Sequence, residues 1–270
     1  MDKKELAFSV ARVAEEAGRM ICAERHPQVF VKEGHANFVT SMDIACQSFL
    51  LEKLSPLLPG AQVMAEEQDN PRLLPGYCWI IDPIDGTTNY MHDYRHSSIS
   101  IALVKDGEGV LGVVHNPYLQ ESFVGVRGIG AFLNGKPIRV SDRGIADALV
   151  IFGSAPYHRG LLELTARVIR RLLLDCRDIR RTGSAALDLC YIACGRTDGF
   201  FEATLCPWDF AAAAIVLQEA GGQVRPLDGA PFRFDRSSGM VGGNPVAFPA
   251  LWDGIQKEYQ EWKREKKLIK

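Results

Sequence analysis

A chain of 270 residues is long enough for one large unit, or two tightly packed ones, with a well-buried core. Hydrophobic residues make up 47% and charged residues 24%, an ordinary globular balance that excludes a fibrous or wholly disordered polymer. The formal net charge of −2 carries no electrostatic footprint for DNA or RNA, and no window approaches the roughly 20 apolar residues that would span a bilayer.

The seven cysteines are scattered, odd in number and without Cys-x-x-Cys spacing, as expected of reduced thiols. Met1-Asp2-Lys3-Lys4-Glu5 leads into a helical pattern rather than an apolar leader. The expectation is a soluble cytoplasmic chain with no membrane partner and no nucleic-acid partner.

In chain order, Leu6, Val10, Val13, Ala17 and Met20 recur at helical steps and predict a first amphipathic helix. A polar stretch, Lys32 to Asn37, follows. Thr40 or Ser41 caps a second helix carrying Ile44, Phe49, Leu50 and Leu54, which stops before Pro59-Gly60. Val63 to Ala65 and Cys78 to Ile81 read as short strands. From Ser98 the pattern is strand-dominated: Ser98–Val104, Gly109–His115 and Glu121–Val126, with Asn134-Gly135 as a hairpin signal.

Helical periodicity returns near 160–174 and 185–194, where Cys190 and Cys194 read as core packing. Phe200-Phe201-Glu202 predicts a strand, Trp208 to Ala220 a helix, and Leu251 onward a last helix whose Lys263, Arg264, Lys266 and Lys267 alternate with glutamates on a solvated face. Strands and helices mix without strict alternation, so a layered α/β (α+β) sandwich fits better than a simple doubly wound sheet. The chain reads as one unit, 1–270, with a possible subdivision into 1–145 and 146–270.

The chemistry centres on Trp79-Ile80-Ile81-Asp82-Pro83-Ile84-Asp85-Gly86-Thr87-Thr88-Asn89. Asp82 leaves the end of an apolar strand, where ligand sites in α/β proteins gather. Pro83 stiffens the turn, Asp85 can point back to the same place, and Gly86 lets the backbone approach a ligand. Hard oxygen donors of this kind suit Mg²⁺ better than zinc. Alone, the pattern is equally a capped turn. Glu66-Glu67 ends another strand and could be merely solvated. Asp209 opens an alanine-rich helix and could be only its cap.

Together these residues resemble the inositol monophosphatase family. The segment 79–89 and Trp208-Asp209-Phe210-Ala211-Ala212-Ala213 with Glu219-Ala220-Gly221-Gly222 look like its two signature motifs, Glu66-Glu67 like its acidic pair, and Val39-Thr40-Ser41-Met42-Asp43 like its upstream element. The resemblance implies an αβαβα layered sandwich of the inositol monophosphatase and fructose-1,6-bisphosphatase type, usually a homodimer. It also implies a lithium-sensitive phosphatase in which Glu66, Asp82, the carbonyl of Ile84, Asp85 and Asp209 hold two or three Mg²⁺ ions.

By the same resemblance Glu66 and Thr87 activate water, with Asp43 orienting Thr87. Asp85, Gly86, Thr87 and Asp209 face the substrate, as do Gly183, Ser184, Ala185 and Glu202. Ser154 is a weaker candidate contact. A small phosphorylated polyol or sugar is the expected substrate, foremost myo-inositol 1-phosphate. Fructose 1,6-bisphosphate, NADP, a nucleotide 3′-phosphate and histidinol phosphate are alternatives within the same chemistry, and a non-catalytic regulatory protein is an alternative outside it. Ala65 and Ala213 stand where the family usually has glycine. The segment Asp69 to Tyr77, with Asn70, Pro71, Pro75 and Gly76, reads as a mobile loop beside the site.

Overall fold

The computed structural model describes residues 2–24, 27–33, 37–70 and 75–268. Helix α1 (Lys3–Ala23) forms because Leu6, Val10, Ala14, Ala17 and Ile21 make one buried stripe at three- and four-residue steps. Strands β1 (Val29–Glu33) and β2 (Asn37–Thr40) follow as an antiparallel pair that flanks and overlaps the polar stretch Lys32 to Asn37. Residues 34–36 of that stretch lie outside the described residues. Helix α2 (Ser41–Leu54) starts at a capping box: the Thr40 hydroxyl accepts from Met42 and Asp43 N–H, and the Asp43 carboxylate accepts from Thr40 N–H. Ile44, expected on its apolar face, is 51% exposed; Cys46, Leu50 and Leu54 carry the buried side instead.

Seven strands then build the first sheet: β3 (Gln62–Ala65) and β4 (Tyr77–Asp85), the latter followed by helix α3 (Thr87–Met91), then β5 (Ser98–Lys105), β6 (Glu108–Asn116), β7 (Glu121–Val126), β8 (Gly130–Leu133) and β9 (Lys136–Ile138). They lie in chain order, with β3 parallel to β4 and every later pair antiparallel. Asn134 (φ 49°) and Gly135 (φ 76°) form the two-residue turn between β8 and β9, as the Asn-Gly pair predicts.

The second half continues with β10 (Leu149–Phe152), α4 (Leu162–Asp175), β11 (Asp178–Arg180), α5 (Ala185–Ala193), β12 (Gly199–Leu205), α6 (Pro207–Glu219), β13 (Gln223–Pro226), β14 (Ser238–Gly243) and α7 (Phe248–Leu268). Its five-stranded sheet has the order β11-β10-β12-β14-β13. Strand β10 is parallel to β11 and β12, whereas β14 is antiparallel to β12 and β13.

Helices α1 and α2 cover one face of the seven-stranded sheet, α5 and α6 lie between the two sheets, and α4 and α7 cover the far face of the smaller sheet. The five layers α, β, α, β, α match the expected sandwich. The central layer joins Ile80, Val114 and Phe123 of one sheet to Phe200 and Met240 of the other through Leu187, Phe210 and Leu217. Each large apolar side chain fully buried there contributes about 1.5–3 kcal/mol. Helix α6 sits directly on the sheet at Gly112 and Gly125. An added Cβ at Gly112 would lie 2.8 Å from the Ala212 carbonyl carbon, and one at Gly125 would lie 2.6 Å from Val216 Cα.

Buried Asp198 holds the single crossing between the sheets. Its carboxylate accepts from Ser141 Oγ (2.5 Å), Arg143 Nε (3.0 Å) and Leu149 N–H (2.8 Å). All seven cysteines are free, and Cys190 is packed in the core as expected. Among the described residues no helix is long and apolar enough to cross a membrane.

Candidate active site

Strand β4 pairs Asp82 with Ser100 but Asp85 with Ser98, so it carries one extra residue at the Pro83-Ile84 step. In a regular strand, residues three apart face opposite sides. The bulge cancels that alternation and turns both carboxylates to one cavity. Proline is tolerated there because a bulge has no ladder bond for it to lose. Gly86 follows at φ 94°, a conformation that costs other residues strain, and reverses the chain into α3.

Glu66 reaches the same cavity from the end of β3, its N–H bonded to the Ile81 carbonyl (3.2 Å) one residue before Asp82. Its turn is held by Asn70, which accepts from Ala65 N–H (2.9 Å) and donates to the Ala65 carbonyl (2.7 Å). Ala65, in place of glycine, is fully buried there. Asp209 comes from the opposite side on the first turn of α6. It is not the N-cap residue itself: Cys206 occupies that position, and the Asp209 carboxylate accepts the Cys206 N–H (2.7 Å). Ala213, the other departure from glycine, is fully buried one turn further on.

The cavity measures about 400 Å³. Glu66, Asp82, Ile84, Asp85, Gly86, Thr87, Gly183, Ser184, Ala185, Glu202 and Asp209, all anticipated from sequence, line it. Asp43 lies just behind: Thr87 Oγ1 stands 3.3 Å from Asp43 Oδ1 and 3.2 Å from the Ile84 carbonyl. Ser184 turns its hydroxyl to Asp85 Oδ2 (2.5 Å), which also accepts from Ala186 N–H (2.9 Å). Ser154 stays off the cavity wall and bonds Arg181 instead. Of the segment 69–77, residues 71–74 lie outside the described residues.

Burial, then the neighbouring charges of Glu66, Asp85, Asp209 and Asp43, push the Asp82 carboxyl well above the usual carboxylate range. Asp209 is raised in the same way, by burial and then by Glu66 and Asp85. Asp85 rises to about 6 through burial, opposed by its bonds to Ser184 and Ala186. Among the described residues no lysine or arginine forms an ion pair with Asp82, Asp85 or Asp209. Such a cluster calls for a cation, and hard oxygen donors fit Mg²⁺. Among the described residues no three of these carboxylates stand close enough together to form a closed metal cage. Asp82 accepts from Ile84 N–H, Asp85 from Ala186 N–H on α5 and Asp209 from Cys206 N–H.

Glu202, on β12, is 9% exposed and therefore no surface ion-pair residue. Its carboxylate accepts the Ala155 N–H (3.0 Å) and fills the space beside Gly153, while Ala155 adopts a left-handed φ of 41°. Burial pushes its carboxyl up to about 7. Sequence reasoning missed Phe38, Tyr157, Arg181 and Asp188 on the cavity wall. Arg181 precedes Gly183-Ser184-Ala185 by two residues, and Asp188 follows Ser184 by one helical turn, so both were within reach of that motif. Phe38 and Tyr157 carry no pattern that could have singled them out.

Five alternating layers with acidic side chains gathered at the ends of adjoining elements define a group of metal-assisted phosphatases. The chain belongs to the inositol monophosphatase family, whose sequence model matches residues 2–261. It is 35% identical over 266 residues to an inositol-1-monophosphatase of Mesorhizobium japonicum, covering 95% of this chain and 98% of the relative. It is 34% identical over 258 residues to the Nus factor SuhB of Escherichia coli (strain K12), covering 93% and 95%. The solved Thermotoga maritima IMPase shares the fold with a TM-score of 0.86 at 32% identity, over 96% of this chain and 99% of that one.

Proposed function

We propose that this chain is a Mg²⁺-dependent phosphomonoesterase acting on a small phosphorylated polyol, foremost myo-inositol 1-phosphate. The observation that carries the reading is the convergence of Glu66, Asp82, Asp85 and Asp209, from β3, β4 and α6, on one cavity whose other wall holds Glu202. Glu66, Asp82, Asp85, Asp209 and the Ile84 carbonyl would hold two or three Mg²⁺ ions. When bound, the ions supply positive charge that neutralises the phosphate and polarises its P–O bonds.

The remaining roles belong to the side chains. Asp43 Oδ2 is fixed by Thr40 N–H (2.8 Å) and Thr40 Oγ1 (2.5 Å), which leaves Oδ1 turned to the Thr87 hydroxyl. Thr87 then presents a lone pair to the attacking water, and Glu66 takes the water's proton. Gly86 and Thr87 offer main-chain N–H groups to the phosphate. Glu202 accepts hydroxyl protons of the alcohol, which favours a polyol. The catalytic set draws on residues from both sides of residue 145, which supports treating 1–270 as one functional unit. We also propose a homodimer in the cytoplasm, for which seven free cysteines are the expected state.

Fructose 1,6-bisphosphate, NADP, a nucleotide 3′-phosphate and histidinol phosphate are the competing substrates. A regulatory role is the second reading, favoured by the relatives named Nus factor SuhB. A panel of these esters with saturating Mg²⁺ separates the readings. The expected result is phosphate release fastest from inositol 1-phosphate and inhibited by Li⁺; no turnover of any ester would leave only the regulatory reading.

A further inference from the structure

Arg181 lies between β11 and α5 and reaches the cavity on the side of Glu202. Its Nη2 donates to Ser154 Oγ (3.1 Å), while Nη1 fills the space where a Cβ of residue 183 would sit. Gly183 therefore serves two needs, a left-handed φ of 96° and a passage for the guanidinium. The same point is 2.9 Å from Asn89 Nδ2, which donates to the His96 carbonyl (2.7 Å) and the Thr182 carbonyl (2.9 Å). The guanidinium is thus threaded between fixed neighbours, although the residue as a whole remains exposed.

Its charge is felt by Glu202, Asp188 and Tyr157, which line the same cavity. Residues 153–155 join Arg181 to Glu202, Ser154 Oγ bonding Arg181 and Ala155 N–H bonding Glu202. A carboxylate only accepts hydrogen bonds and a guanidinium only donates them. A hydroxyl does both, so two adjacent hydroxyls on one alcohol satisfy this wall, one donating to Glu202 and the other accepting from Arg181. An alcohol half with no further hydroxyl would offer Glu202 and Arg181 no hydrogen bond in place of the water it displaces, and a site built to pair a hydroxyl discriminates against a substrate that lacks one.

We infer that Arg181, steadied by Ser154, is a specificity-determining residue that pairs with Glu202 to read neighbouring hydroxyls on the alcohol half of the substrate. The inference rests on the phosphatase reading for its substrate class. Its test compares kcat/KM for inositol 1-phosphate and for phenyl phosphate, with Mg²⁺ saturating, in the wild type, Arg181→Met, Arg181→Lys and Ser154→Ala.

The ratio of the two values should fall about tenfold or more in Arg181→Met, mainly through KM for inositol 1-phosphate. Arg181→Lys should recover part of it, and Ser154→Ala should shift it the same way by less. A ratio unchanged within about twofold overturns the inference while the phosphatase reading stands. So does an equal fall on both esters, which would assign Arg181 to the phosphate or to the fold. A loss confined to fructose 1,6-bisphosphate, assayed as a third ester, overturns it in favour of an anion site. If the wild type hydrolyses neither ester, the phosphatase reading fails. Calorimetric binding of the two esters to the same variants then decides the inference by the same ratio.

Discussion

Replacing Gly112 with alanine adds one methyl group to β6 where α6 leaves no room for it. The new Cβ would stand 2.8 Å and 2.9 Å from the Ala212 carbonyl carbon and Cα, and closer still to the carbonyl oxygen. Ordinary carbon contacts begin at about 3.5 Å, so helix and strand must part by roughly 1 Å. All the obstructing atoms are backbone, so no side chain can rotate away. Overpacking of this kind costs about 1–3 kcal/mol or more.

The same displacement carries Asp209, three residues earlier on α6, away from Asp82 and Asp85. A misplacement of about 1 Å can cost on the order of a hundredfold in rate. Urea unfolding and Mg²⁺-dependent phosphate release read the two effects separately. Gly144→Ala is the control: open space surrounds it, its φ is −77°, and its stability should stay within about 0.5 kcal/mol of wild type. Wild-type stability and turnover in Gly112→Ala would refute the direct seating of α6 on the sheet.

Asp85→Asn should lose Mg²⁺ affinity and turnover together, and full activity in that variant would overturn the ligand assignment. Saturation with Mg²⁺ should stabilise the wild type by about 2.7 kcal/mol per site at a hundred times Kd; a denaturation midpoint indifferent to Mg²⁺ and EDTA would sink the cation reading. Glu202 supplies a pH test in Mg²⁺-free buffer. Its carboxyl is raised from 4.5 to about 7, so the stability it contributes is present below about pH 4.5 and lost as the pH rises through 7. Glu202→Gln should therefore match the wild type near pH 4.5 and exceed it above pH 7 by up to about 3 kcal/mol. A difference that does not change with pH would count against that account.

Local chemistry made part of this architecture readable in advance. Thr40 or Ser41 announces a cap for α2, and Thr40 takes that place. Asn134-Gly135 announces a hairpin, and the largely continuous apolar runs of β5 to β7 follow from one sheet buried on both faces. The smaller sheet was harder to read. Strand β11 has three residues, and β14 contains Gly239, Gly242 and Gly243, which erase side-chain alternation. The hairpin of β1 and β2 was hidden for a different reason. In β1, Val29, Phe30 and Val31 are exposed, so no buried face imposes a pattern on that strand, and only Val39 and Thr40 at the end of β2 are buried among the pair's described side chains.

The candidate site divides along the same line. Asp82, Asp85 and Asp209 stand in dense local motifs. Phe38 and Tyr157 reach the cavity only through tertiary packing, and the contacts of Ser184 with Asp85 and of Glu202 with Ala155 join residues far apart in the chain. The bulge that turns Asp82 and Asp85 to one side was implicit in Pro83, but only the pairing with β5 reveals it.

The central helical layer also sets an order of events during synthesis. The seven-stranded sheet is complete once residue 138 has emerged, yet its inner face, with Ile80, Val114 and Phe123, is covered by α5 and α6, which end at Ala193 and Glu219. At translation rates of about 5–20 residues per second, that surface waits roughly 4–16 seconds for its cover. Until α6 is complete, part of that apolar sheet face lacks the helices that cover it in the folded protein.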